Sequence, residues 1–508
     1  MRSIPRTQLT FENPARLLLA AVALALCAGC TPSIERSDSA EVLPALRVDP
    51  AESSALTDRW PGWRGENSQG IAADRPLPVS WDSMQGIGWR VALPGTGNSS
   101  PVVWDDAVLL TAAVDQDYST TLEILCLDAG DGSLRWQTPI GPAEGSTHAK
   151  NGHASATVAT DGSRVVAFFG SRGLVCCDMA GNVLWQRSLG EMEHTWGTAS
   201  SPLLLGDRVI QLADREEGSY IAAFDLASGS PLWRTPRDSY GSWSTPVVVE
   251  TDTSDQQRVE VVVNGTGTDD SEGGQVIAYD PVDGQELWRV AGTTDIVCPT
   301  AILGGDWIYS SSGRNGSIMA IEPGGTGDVT ASRVAWKLHR DGPYVPTGLC
   351  YRNRLYFVSD SGVLSCYNAG NGERLWRSRL KGTFTASLVA GDGKIYALSE
   401  RGDVYVVAAA DTHQLLSTNS MGQRALATPA IAHGSVFIRT EPYLYRVAAV
   451  PPAEIARREA AAKADEVAAS TEPRDSDSGD TDNDGSTANV ESEDSAEGTD
   501  RERVPGAP

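Results

Sequence analysis

The stretch that decides the fold runs Leu125-Cys126-Leu127-Asp128-Ala129-Gly130-Asp131-Gly132-Ser133-Leu134-Arg135-Trp136. Three features in it work together. An apolar run ends at Asp, a residue whose side chain can bond the backbone of a following turn. Gly132 supplies the positive φ that a tight hairpin demands. A second strand then carries Trp136.

The same grammar returns along the chain. Val175-Cys176-Cys177-Asp178 leads through Gly181 to Trp185. Ala222-Ala223-Phe224-Asp225 leads through Gly229 to Trp233. Ile277-Ala278-Tyr279-Asp280 leads through Gly284 to Trp288, and Ser365-Cys366-Tyr367-Asn368 leads through Gly372 to Trp376. With Trp89 and Trp336 added, the tryptophans lie 47, 49, 48, 55, 48 and 40 residues apart. A period in this range is that of a propeller blade, which cannot bury both sheet faces alone and must stack on neighbours. Two copies are degraded. One ends Ile321-Glu322-Pro323 with a longer turn before Trp336, and another reads Ala410-Asp411-Thr412-His413 and reaches Leu416 without a Trp.

Blade starts recur as well. Ser100-Pro101, Ser201-Pro202, Thr245-Pro246, Cys298-Pro299 and Thr428-Pro429 each precede an apolar run, and Pro is tolerated at the first residue of a strand. These are the expected innermost strands. Counting them with the intervening units gives eight blades. The eighth is mixed: Val436 to Val447 supplies late strands and Gly88 to Leu93 the outermost, a closure that leaves no open end.

The pattern small-x-Asp-x-x-x-Gly-x-x-x-Trp resembles the pyrroloquinoline-quinone-like (PQQ-like) repeat with its tryptophan-docking motif. That repeat is found in quinoprotein dehydrogenases and in the outer-membrane assembly lipoprotein BamB. The resemblance covers about residues 59–450 and implies an all-β, eight-bladed propeller in which Trp89, Trp136, Trp185, Trp233, Trp288, Trp336 and Trp376 dock blade against blade. Trp60-Pro61-Gly62-Trp63-Arg64-Gly65 resembles the family's Trp-Pro-x-aromatic-Arg-Gly opening, expected to pack across the propeller.

The flanks read differently. Residues 1–29 look like an export signal: Arg2, Arg6 and Arg16 precede the apolar run Leu17 to Leu26, too short to span a bilayer. Leu26-Cys27-Ala28-Gly29-Cys30 resembles a lipobox, which makes Cys30 the expected lipidated first residue, although Cys27 stands where Leu is usual. Ordinary cleavage and a soluble secreted product is the other reading. Residues 30–58 read as a polar, flexible tether. Residues 451–508 are expected to hold a short helix and then a disordered acidic tail.

Net charge is −25. From Pro452 onward there are 16 acidic and 6 basic residues, so the tail carries −10 and the rest −15. Such a surface excludes nucleic acid as a partner and docking on anionic lipid through a basic patch.

Candidate chemistry gathers in loops before the inner strands. His148, Lys150, Asn151 and His153 precede the second blade, His194 and Trp196 the third, and Trp243 the fourth. Two imidazoles, an amine and an amide suit an anion or a metal, and the indoles suit a flat ligand. A solvated loop and packing between blades are the plainer readings. Cys176 and Cys177 fall in recurrent repeat positions, a small and a larger apolar slot, and are read as buried hydrophobes rather than a redox pair.

The quinoprotein resemblance would require Glu and Asn on Ca²⁺, an Asp base and a Trp floor. Asp295 and Asn315 are conceivable members, but no motif ties them together. The expectation is therefore no catalytic residue, no metal and no cofactor, with PQQ and Ca²⁺ as the alternative. The expected role is a monomeric, BamB-like scaffold facing the periplasm, held by lipid preferentially to the outer membrane and binding envelope or outer-membrane proteins. A carbohydrate- or polymer-binding propeller is a further alternative.

Overall fold

A computed structural model describes residues 58–449, apart from 74, 83, 84, 117, 118, 146, 254, 255 and 268–272. The signal, the lipobox, most of the tether and the C-terminal segment lie outside the described residues.

Eight sheets follow one another, each built on four antiparallel strands. Blade 1 contains Val102–Trp104, Ala107–Gln116, Ser119–Asp128 and Leu134–Pro142, from innermost to outermost strand. Blades 2 to 7 occupy 159–187, 203–236, 247–293, 302–338, 349–379 and 389–420. Blade 8 joins Ala430–Ala432, Ser435–Arg439 and Tyr443–Ala448 to Ile87–Ala92, so the chain's first long strand is the outer strand of its last blade.

The repeat's register explains its composition. Trp136, Trp185, Trp233, Trp288, Trp336 and Trp376 lie directly across the ladder from Cys126, Cys176, Ala223, Ala278, Ala320 and Cys366. A small partner leaves room for the indole. Cys176 and Cys177 are both buried and free, and burial pushes their thiols up to about 12 and about 11.

All of these indoles but that of Trp288 then reach out of their own blade. Trp136 Nε1 donates to Met179 O at 3.0 Å, Trp185 to Leu226 O at 3.0 Å, and Trp233 to Pro281 O at 2.9 Å. Trp336 donates to Ala369 O at 3.2 Å and Trp376 to Ala410 O at 2.9 Å. Trp89 of blade 8 closes the ring on Ala129 O of blade 1 at 3.0 Å.

Trp288 is built otherwise. Its Nε1 donates to Glu260 Oε2 within blade 4 at 2.6 Å. The hairpin it would meet on blade 5 is replaced by an insertion. Gly327–Asp328 pairs in parallel with Trp288 and Arg289, covering the outer edge of blade 4. Blade 7 has no docking Trp. There Trp81, from the segment entering the ring, is buried among Val404, Val406 and Met421 of blade 7 and Val436 and Ile438 of blade 8. Its N–H groups donate to Asn419 Oδ1 and Met421 Sδ.

The inner strands are joined by a chain of hydroxyls. Ser100 N donates to Thr157 Oγ1, Thr157 N to Ser201 Oγ, and Ser201 N to Thr245 Oγ1. The series continues through Thr300, Thr347 and Ser387 to Thr428. All seven bonds fall between 2.8 and 3.1 Å. The Ser/Thr before Pro is this ring residue in blades 1, 3, 4 and 8. In blade 5 it is Thr300, after the proline, which corrects the alignment of Cys298-Pro299 with the others.

Residues 58–72 cross one end of the ring and bond seven blades. Asp58 accepts from His433 N, Trp60 pairs with Val103, and Pro61 O accepts from Thr160 N. Asn67 exchanges two bonds with Val248, and Gln69 accepts from Leu303 N. Arg64 donates to Gly348 O, and Ala72 to Ala390 O. The described chain begins and ends on this same lower face, because Ala448 N donates to Gly86 O beside blade 8.

Candidate functional site

The connectors that lead into the inner strands gather at the opposite, upper face. The two longest are 143–158 and 188–202. They surround a central cavity of about 450 Å³, a size ordinary for a ligand site. His148, Lys150, Asn151, Trp196 and Trp243 all line it. His153 and His194 line a neighbouring groove with Glu144, Glu191, Glu193 and Glu216.

The lining is held in place from behind. Trp243 Nε1 donates to Gly197 O at 2.8 Å, and Asn151 Nδ2 donates to Trp196 O at 2.7 Å. His194 wedges between these elements. Its ring meets Trp243 edge-on at 4.7 Å and Trp196 at 5.7 Å, and its Nδ1 accepts from Trp196 N at 3.1 Å. Lys150 reaches across the mouth to Glu400 of blade 7 at 2.7 Å, and Thr385 shares that carboxylate.

Burial holds His194 below the ordinary imidazole value, outweighing attraction from Glu216. The unfolded chain therefore takes up a proton near about pH 6.5 that the folded chain resists. That stability is present above the unfolded value and is lost as pH falls toward the folded one. Melting temperature is expected to fall as pH drops through about 6.5, the unfolded imidazole value, with His194→Phe flattening the curve. An unchanged slope in the variant would assign the drop to other groups.

Sequence reasoning missed several lining residues. Trp63, from the crossing segment, faces the cavity together with Asn98, Arg314 and Tyr344. Arg314 sits at φ 54 and stacks over Tyr344 at 5.0 Å. Only contact across distant loops brings it there, so no local signal marks it.

The residues do not fit a Ca²⁺-bound quinone. Trp63 supplies an aromatic surface, but no Asp or Glu lines the cavity, and Ca²⁺ needs several oxygen ligands, carboxylates foremost. Asp295 is not among the lining residues, and Asn315 lies in a separate groove. Among the described residues, no three His, Cys, Asp or Glu side chains gather as a metal site.

Ring closure, docked indoles and a loop-lined central cavity define a PQQ-like β-propeller. The family model described as outer membrane protein assembly factor BamB matches residues 66–270 and 359–453, more than half of the chain. The chain belongs to that PQQ-like propeller family. Among solved structures it is similar to BamB from Moraxella catarrhalis, at 15% identity and a TM-score of 0.52, covering 70% of this chain and 95% of that one. It is similar also to a europium-containing methanol dehydrogenase, at 10% identity and 0.57, covering 76% and 97%. The computationally designed Ika8 protein matches at 15% and 0.50, covering 71% and 99%. At such identities the likeness is one of fold. No curated protein matches the chain.

Proposed function

We infer that this chain is a lipid-tethered, non-catalytic scaffold of the cell envelope that binds proteins through its upper face. The observation that carries the reading is the opposition of the two faces. The described chain begins and ends below, beside blade 8, while the long connectors 143–158 and 188–202 stand above. A tether running from Cys30 to Asp58 would turn those connectors away from the membrane. The family model's description, an outer membrane protein assembly factor, supports assembly partners in that membrane.

A rigid ring suits docking because binding costs little ordering of the partner-facing loops. With a photo-crosslinker at Glu191 of the upper face, an adduct with an outer-membrane assembly component is expected in intact envelopes. The same probe at Leu415, exposed on blade 7, is expected to give none. Labelled fatty acid should enter the wild type and not Cys30→Ala. Label in both, or adducts from neither site, would contradict the reading.

A further inference from the structure

We propose that the central cavity is a binding site for an acidic saccharide of about two sugar rings, a ligand that the scaffold role neither requires nor predicts. The first argument is an excess of donors. Trp63 Nε1 and Trp196 Nε1 have no hydrogen-bond partner, and Arg314 has no ion-pair partner, among the described residues. Ser387 and Thr428 accept a backbone N–H from the preceding blade, as does Thr245, and this leaves their hydroxyl protons available to the cavity. No carboxylate lines the space itself: Glu400 at the mouth is taken by Lys150 and Thr385, and Asp360 behind the wall by the N–H groups of Tyr344 and Val345. These groups are open to water, and an occupant rich in acceptors can replace it; a carboxylate on that occupant answers the exposed Arg314, whose planar fork suits that geometry.

The second argument is shape. Trp196 and Trp243 stand 5.8 Å apart with their planes inclined by 47°. One flat ring cannot lie on both faces. A puckered sugar, with C–H groups on its faces and hydroxyls at its edge, meets inclined indoles and leaves its oxygens for Asn98, Asn151 and the hydroxyls. The lining indole of Trp243 and the amide of Asn151 are already fixed by backbone carbonyls, so binding orders little.

Calorimetric titration of the full folded chain with digalacturonate tests this. Saturable 1:1 binding is expected, with lactose, a neutral probe of equal ring count, at least about tenfold weaker. Arg314→Asn, which tolerates the left-handed backbone at that position, should weaken digalacturonate about tenfold and leave lactose unchanged. Trp196→Ala should weaken both, and Trp196→Phe serves the same purpose if the alanine variant melts early. Equal binding of the two sugars, no saturable binding, or indifference to Arg314→Asn overturns the proposal. So does binding of PQQ with Ca²⁺ in place of the sugar acid, which would make the site one for a flat aromatic. None of these outcomes bears on the crosslinking test of the scaffold role.

Discussion

An Asp214→Ala variant is expected to lose about 3–5 kcal/mol of unfolding free energy, read as a lower urea midpoint at unchanged slope. Asp214 and Arg237 are both essentially inaccessible to water. The carboxylate accepts from Arg237 Nε at 2.9 Å, Arg237 Nη2 at 3.3 Å, Ser239 Oγ at 3.1 Å and Ser242 Oγ at 2.7 Å. Arg237 also donates to Tyr279 Oη of blade 4, so the network spans a blade junction. Removing one partner strands a buried guanidinium without its counter-charge. The loss is thus mostly the cost of the orphaned group rather than the net worth of the pair. A double variant, Asp214→Ala with Arg237→Met, should recover more than half of it. If the double variant is as unstable as the sum of the two singles, the charge is not what the site is organised around.

Trp185→Ala should cost a similar about 3–5 kcal/mol. Its indole is 7% exposed, packs in the core between blades 2 and 3, and loses a bond to Leu226 O. The ring lies on Gly229, whose φ is 66 and whose added Cβ would stand 2.6 Å from Trp185 Cδ2. Gly229→Ala therefore meets both a strained backbone and the ring itself. Because both changes act on one contact, their effects should fall short of additive by at least about 0.5 kcal/mol in a double-mutant cycle. Strict additivity would mean that the glycine is required for its turn alone.

The repeat was legible because its three key residues are local. Asp, Gly and Trp fall within a dozen positions, and each has a distinct reason to recur: a turn bond, a positive φ and a seal against the next blade. The mixed eighth blade followed from counting strands, and Ile87–Ala92 occupies the place expected of Gly88 to Leu93. What was not legible depends on segments far apart in sequence. Trp81 serves the junction where blade 7 has Leu416, yet nothing near it resembles a repeat. Glu260 captures Trp288 because an insertion displaced the usual hairpin. The residue–Pro pairs marked innermost strands and gave no sign of the hydroxyl ring that joins them. Thr157, Thr347 and Ser387 carry no such mark.

The candidate site was legible in the same uneven way. Five of seven singled-out residues share the cavity. His153 and His194 fall one groove away, since a loop's position in sequence does not tell which side of it a ring takes. His194 supports the site from outside it, against Trp243. Arg314 and Trp63 enter from a hairpin turn and from the crossing segment, neither of which leads into an inner strand.

Indole N–H exchange, followed residue by residue by NMR on the ¹⁵N-labelled chain, tests the ring most directly. Trp89, Trp136, Trp185, Trp233, Trp336 and Trp376 each bond a carbonyl of the adjoining blade, so their indole protons should exchange much more slowly than those of Trp63 and Trp196, and slowest at the buried Trp185 and Trp233. Rapid exchange at Trp89, where the two ends of the ring meet, together with protection at Trp63, would contradict both the closure and the open cavity above it.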